Sequence, residues 1–348
     1  MSIASELARG GDEVTLIGSG SHRPDRPYSY ISVPTISRER FEGLPALPLF
    51  RNETAWEDAC FAPGLLRAFD PSAYDVTLTC AYPFSHWILR RPVFRGRKPA
   101  HVFVTQNGDW PAYSDRAEYR FFDCDGLICI NPDYYERNSS RYRSALIPNG
   151  VDLARFTPGA AERGRFGLPP GPLVLMVSAL IPSKNVPEAI EAVAALPDAT
   201  LVVAGDGPLR DQLQRLADER LPGRYRQLTV PAADMPALYR CADVFLHLSR
   251  DESFGNVFVE ALACGIPVVA YDSHRTRWIV GDTGFLADVH GSQSIEAQIS
   301  LAMGARDKGR LVARAGQFDW CNIAAQYRQF LTSVVEEKEK LTGTAEAR

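Results

Sequence analysis

Between Leu173 and Tyr271 short, mostly apolar runs alternate with amphipathic stretches, and this alternation narrows the fold more than any other feature of the chain. The runs Leu173–Ala179, Thr200–Ala204, Tyr225–Val230, Val244–Leu248 and Pro267–Tyr271 read as strands. Val186–Leu196, Pro208–Glu219, Met235–Cys241 and Asn256–Ala263 read as the helices between them. Strands that are apolar on both faces and separated by helices belong to parallel sheets covered on both sides. The first half carries a weaker version of the pattern, with strands expected at Glu13–Gly18, Asp75–Thr79, His101–Thr105, Gly126–Asn131 and Ser144–Pro148. At roughly 150 residues per domain, 348 residues make two domains. The Gly- and Pro-bearing stretch from Asn149 to Gly159 and on to Pro172 is the expected linker, giving domains over 1–150 and 151–317 and a long terminal helix over 318–341. The chain opens with a helix, Ser2–Arg9, before its first strand. Doubly wound domains begin with a strand, so a first strand and its phosphate-facing turn are expected upstream of Met1.

Charge and cysteine content remove several function classes. Lys plus Arg is 38 against 42 Asp plus Glu, a net charge of −4, which does not suit a polyanion binder; nucleic acid is not an expected partner. No window offers 18 consecutive apolar residues, the run a membrane-crossing helix needs. The first residues lack the basic-then-apolar run of a secretory signal, and the seven cysteines are scattered without a C-x-x-C pair, so a cytoplasmic address is expected. The six histidines show no ligand spacing, and no metal site is predicted.

The stretch with most chemical content runs from Asp251 to Ala270. It leaves the strand Val244–Leu248, turns through Phe254, Gly255 and Asn256, and opens a helix that Gly265 and Pro267 stop. A helix N-terminus after a glycine turn gathers unpaired N–H groups and the positive end of the dipole, which suits a phosphate. Glu252 precedes the turn and Glu260 lies within the helix after it, so two carboxylates can hold two parts of one ligand. A strand–loop–helix with two solvated glutamates fits the same residues.

This stretch resembles the E-x7-E element of the retaining glycosyltransferases of family 4, which have the GT-B fold. The segments Ile147–Phe156, Ala204–Leu209 and Phe318–Trp320 resemble the family's linker, a glycine turn and the start of its crossover helix. The resemblance implies two Rossmann-like parallel-sheet domains facing a cleft, with the last helix packing on the first domain. It implies that the first domain takes the acceptor and the second a nucleotide-sugar donor. Glu260 then corresponds to the ribose ligand and Glu252 to the residue that contacts the donor sugar. Ser253, Phe254, Gly255 and Asn256 form the turn at the diphosphate, with Gly205 in a second turn beside it. The family also carries Arg and Lys on the diphosphate. Here Lys184 matches, but Ala179 stands where Arg is expected, leaving Arg275 or Arg277 to replace it.

In the first domain Gln106, Asn107 and Asp109 follow the strand His101–Thr105, at an edge where open α/β sheets bind ligands. They are candidates for sugar hydroxyls, with Trp110 as a stacking face; a polar turn before a core Trp is the plainer reading. His86, after the preceding strand, is a further candidate for the catalytic site. Arg90, Arg91, Arg95, Arg97 and Lys98 sit close together with apolar neighbours, which suggests peripheral contact with anionic lipid on the inner face of the membrane, against a solvated basic loop. The implied reaction moves a sugar to an acceptor hydroxyl, lipid-linked in many members of the family, in polysaccharide, glycolipid or glycosylated-metabolite synthesis. It uses no cofactor. A nucleotide-sugar binder that does not transfer, and a sugar-binding module that uses no nucleotide, are the two other classes these residues allow.

Overall fold

The computed structural model describes residues 3–21, 25–93, 97–106, 108–113, 119–250, 252–288, 294–305 and 307–346, apart from the side chains of 113 and 342–346. The chain forms two compact units, Met1–Pro148 with Trp320–Arg348, and Asn149–Asp319. Among the described residues no helix is long and apolar enough to cross a membrane.

The first unit runs α1 (Ile3–Arg9), β1 (Thr15–Gly18), β2 (Ser29–Ser32), α2 (Glu53–Ala68), β3 (Val76–Thr79), α3 (Phe84–Leu89), β4 (Ala100–Val104), β5 (Gly126–Cys129), α4 (Pro132–Asn138) and β6 (Ser144–Leu146). Its strands make two separate parallel sheets, β1–β2 and β3–β4–β5–β6. Only β4 and β5, which pair on both sides, are buried along their whole length. The helix α4 shows how local sequence sets an element: the Asn131 side chain accepts from the Tyr134 N–H as N-cap, and Pro132 supplies a preset φ at the first position.

The second unit runs β7 (Leu173–Val177), α5 (Val186–Ala194), β8 (Thr200–Ala204), α6 (Arg210–Arg220), β9 (Tyr225–Leu228), α7 (Met235–Arg240), β10 (Val244–His247), α8 (Asn256–Ala263), β11 (Val268–Tyr271), α9 (His274–Val280), β12 (Phe285–Ala287), α10 (Ile295–Met303) and α11 (Lys308–Gly316). All six strands are parallel, in the order β12-β11-β10-β7-β8-β9. The chain starts in the middle at β7, winds outward through β8 and β9, then returns to wind the other way from β10. Val174, Met176, Val203, Leu246 and Val269 of the strands pack on Val186, Ile190 and Val193 of α5 and on Ile299 of α10, all fully buried. Each such side chain contributes about 1.5–3 kcal/mol when removed from water. This is the frame that holds the strand ends in place.

The last helix, α12 (Trp320–Glu346), belongs to the first unit. Arg328 donates to Asp12 and to the Leu7 carbonyl beside α1, and Lys338 pairs with Asp125 at 2.6 Å.

Among the described residues of the basic stretch, three arginines have partners. Arg90 pairs with Asp123, Arg97 with Asp75 and Glu339, and Arg91 donates to the carbonyls of Leu66 and Phe69. The neutralising acids come from distant parts of the chain, which a linear reading of charge does not show. Arg95 lies outside the described residues.

Candidate active site

In a doubly wound sheet the crevice opens where the winding reverses, at the carboxyl ends of the two central strands. Here that point falls between β7 and β10, and a cavity of about 570 Å³ lies over it, lined by Val177–Ala179, Lys184, Gly205, His247, Glu252 and Asn256 among others. Lys184, Gly205, Glu252 and Asn256 were expected at the site from the sequence, and the fold brings them together.

Lys184 ends a 3-10 turn, Pro182–Lys184, and is followed by Asn185 with a φ of 51°. The Asn185 side chain donates to the Leu248 carbonyl at 2.7 Å, tying the turn after β7 to the end of β10. Lys184 Nζ is thereby set 2.5 Å from Glu252 Oε2 and 3.4 Å from Ser249 Oγ. His247 Nε2 meets the same Glu252 oxygen at 3.2 Å, and Arg275 donates to the Glu252 main-chain carbonyl at 2.7 Å. Burial alone would raise the Glu252 pKa. The hydrogen bonds from His247 and Lys184 outweigh it and bring the group down to about 2. The cavity therefore holds a fixed carboxylate beside an ammonium.

The turn into α8 depends on Gly255, whose φ is +79°. A Cβ there would also lie 2.6 Å from the Phe258 ring. Phe254 corrects the sequence reading in part. Its ring is buried against Trp278 and Phe318, so only its backbone can serve a ligand. Ser253 is half-buried in the same turn and Asn256 is exposed, its Oδ1 accepting from Asn149 Nδ2 at 3.2 Å. Glu260 sits one helical turn beyond Asn256 and does not line the cavity. Burial raises its pKa, less than offset by the Tyr239 hydroxyl, which donates to it at 2.9 Å, and by nearby Arg155.

Gly205 is a point of near contact between two loops. A Cβ at 205 would stand 1.9 Å from the Ser178 carbonyl oxygen, a backbone atom that cannot swing aside. Gly205→Ala is expected to cost about 1–3 kcal/mol in a denaturant melt and to weaken ligand binding with it, because the floor of the cavity must part.

The first-unit candidates have other employment. His86 is wholly buried, stacked on Phe122 and 3.1 Å from His101 Nε2, so it is a core residue and not a sugar contact. Burial, then Arg90, lowers its pKa to about 3. Asp109 is likewise buried, with its carboxylate accepting from Arg137 Nε and Asn138 Nδ2. Gln106 is exposed at the end of β4, and Asn107 lies outside the described residues. Nor do the two arginines replace the cation missing at Ala179 in this geometry. Arg277 binds both oxygens of Asp272, and Arg275 is turned to the Glu252 carbonyl. Ser178 and His247 are among the lining residues that sequence reasoning passed over. Each holds a buried polar atom, Oγ and Nδ1 respectively, with no hydrogen-bond partner among the described residues.

Comparison with known proteins agrees with this geometry. Residues 1–155 match the family described as glycosyltransferase family 4, and residues 161–316 match glycosyl transferases group 1. The chain is similar to a D-inositol 3-phosphate glycosyltransferase of Mycolicibacterium gilvum, 32% identical over 76% of this chain and 66% of that protein. It is also similar to a GDP-mannose-dependent alpha-(1-6)-phosphatidylinositol monomannoside mannosyltransferase of Mycolicibacterium smegmatis, 33% identical over 60% of this chain and 61% of that one. The aligned part thus spans less than two thirds of these relatives' own length. In three dimensions the chain resembles sucrose-phosphate synthase from Thermosynechococcus elongatus, with a TM-score of 0.71 at 22% identity over 95% of this chain and 92% of the other. With its two halves matched in order and its sheets wound as described, the chain belongs to the family 4 glycosyltransferases and has the GT-B fold.

Proposed function

We propose that the protein transfers a sugar from a nucleotide-sugar donor to an acceptor hydroxyl, with retention at the anomeric carbon. One observation carries the reading: an ammonium and a carboxylate, Lys184 and Glu252, held 2.5 Å apart beside a glycine turn at the reversal point of a parallel sheet. A diphosphate needs the cation and the turn's N–H groups, and a sugar's hydroxyls need the carboxylate. On this reading the bond from the anomeric carbon to the diphosphate oxygen breaks while the acceptor oxygen attacks the same face. The acceptor proton passes to the leaving phosphate oxygen, so the step needs no protein nucleophile. Lys184 and the turn stabilise the charge that grows on the diphosphate. The relatives' substrates make an inositol-bearing or lipid-linked acceptor the first class to try.

Ala179 favours a second reading, a protein that binds the donor without transferring from it, because it leaves the diphosphate one cation short. Melting curves with UDP-, GDP- and ADP-sugars decide the first step. Ligand at a hundred times its dissociation constant stabilises by about 2.7 kcal/mol, so the matching nucleotide sugar should raise the melting temperature and the free sugar should not. Slow release of sugar from that donor then supports transfer. A stable complex with no turnover under any acceptor supports the binder. No response to any nucleotide sugar rejects both.

A further inference from the structure

Among the described residues Glu252 has two charge-stabilising partners, and the structure makes them unlike. Lys184 reaches the carboxylate on a flexible four-carbon stem from a 3-10 turn, and it also lines the cavity where a diphosphate would lie. His247 is the last residue of β10, 2% exposed, with its ring parallel to Phe245 and edge-on to Phe258 at 5.0 Å. It cannot move without disturbing the core. A carboxylate only accepts, so the 3.2 Å contact requires a proton on Nε2, and Nδ1 is a buried atom that finds no partner among the described residues. Among the described residues, no other cationic group near Glu252 is recorded on its carboxylate. Arg275 of α9 holds the main-chain carbonyl, and the Arg250 guanidinium lies over the Tyr271 ring at 5.3 Å.

We infer that His247 is the positioning residue of this site: it keeps hold of Glu252 Oε2 when Lys184 turns from the carboxylate to the donor's phosphates. The ammonium has three N–H groups but one position, and a doubly charged diphosphate competes for it directly. Without a second, rigid donor the carboxylate would lose its aim and part of its ionisation as the phosphates arrive. The inference rests on the reading that Glu252 contacts the donor sugar, and extends it to a residue outside the E-x7-E pattern.

Its test pairs two substitutions. His247→Phe keeps a ring between Phe245 and Phe258 and deletes the nitrogens, whereas His247→Gln restores an N–H near the Nε2 position. If the phenylalanine variant does not fold, His247→Leu takes its place. The carboxyl 13C signal of Glu252, assigned by its loss in Glu252→Gln, is followed from pH 3 to 7 without ligand. It should be flat in the wild type and should titrate in His247→Phe, with the midpoint raised by about 1–2 units. His247→Gln should be nearly flat again. In turnover, His247→Phe should lower kcat about ten- to hundredfold with nucleoside diphosphate affinity unchanged, and His247→Gln should recover most of it. An unmoved carboxyl signal in His247→Phe overturns the inference, as does an equal loss of kcat in both variants, which would mark a packing role. If Glu252→Gln transfers sugar at the wild-type rate while the carboxyl signal still answers to His247, the coupling stands and the reading of Glu252 as a sugar ligand falls.

Discussion

Lys184→Ala is expected to lower kcat for sugar transfer about a hundredfold, with a much smaller change in KM. The side chain is 18% exposed and sits over the reversal point of the sheet, so it faces the diphosphate in a partly dry cavity. Its effect grows as the glycosidic bond breaks and the phosphate oxygens gain charge, and a preorganised charge partner of this kind is worth about 3 kcal/mol. A contact made equally in the bound donor and the transition state would change KM instead. Ala179 sharpens the expectation, since among the described residues that line the cavity Lys184 is the only lysine or arginine. The substitution also strips one of two partners from Glu252, so the free protein should melt lower. A carboxylate whose pKa is depressed to about 2 adds stability above its unfolded pKa of about 4.3, and loses it as pH falls through 2. The destabilisation should therefore be full at neutral pH and shrink below pH 4. Steady-state kinetics with the intact donor, beside melts at pH 7 and pH 3.5, check both parts. A kcat within threefold of the wild type would remove Lys184 from the chemistry.

The second unit was legible because its strands are buried on both faces. A run such as Leu173–Val177 cannot be polar anywhere, and the helix Asn256–Ala263 is bounded by a glycine that only a left-handed turn requires and by the Gly265–Pro267 stop. The later elements α9, β12, α10 and α11 escaped the reading because they are short and only partly apolar; β12 has three residues, two of them half-buried. In the first unit, the sixteen-residue helix α2 was missed for a physical reason. It contains Pro63 and Gly64, and buries only Ala55, Asp58 and Leu65, one of them a carboxylate that caps α3 through Ser85. Half-exposed β2 gave no signal either. At the site, the resemblance to the family's motifs picked out Lys184, Gly205, Glu252 and Asn256, which the fold brings to one cavity because each lies on or beside a local turn. His86 and Asp109 were misjudged because position near a strand end does not say which way a side chain faces. His247 was missed for the converse reason: inside Val244–Leu248 it reads as one polar interruption of a core strand. The usable signal was its place, the last residue of the strand beside the winding reversal.

Glu260→Gln and Glu252→Gln are expected to fail in different assays. Glu260 is proposed to accept from the ribose hydroxyls, in the ground state and the transition state alike, so Glu260→Gln should weaken donor and nucleoside diphosphate binding about tenfold or more with kcat nearly kept. Glu252 is proposed to meet the sugar, so Glu252→Gln should cut kcat about a hundredfold while free nucleoside diphosphate binds as before. It should also relax Lys184, which loses its only carboxylate partner among the described residues. The electrostatics add an order in pH. Burial holds Glu260 above the ordinary carboxylate range, whereas His247 and Lys184 carry Glu252 down to about 2. On acidification Glu260 is therefore protonated first, and nucleoside diphosphate affinity should fall at a pH where bound donor still turns over at its full rate. In the reverse order, Glu252 would be the nucleotide ligand and Glu260 the sugar ligand. Calorimetry with the diphosphate at stepwise lower pH, set against kcat at saturating donor over the same steps, separates the two assignments. If neither substitution changed either quantity, the cavity between β7 and β10 would not be a nucleotide-sugar site.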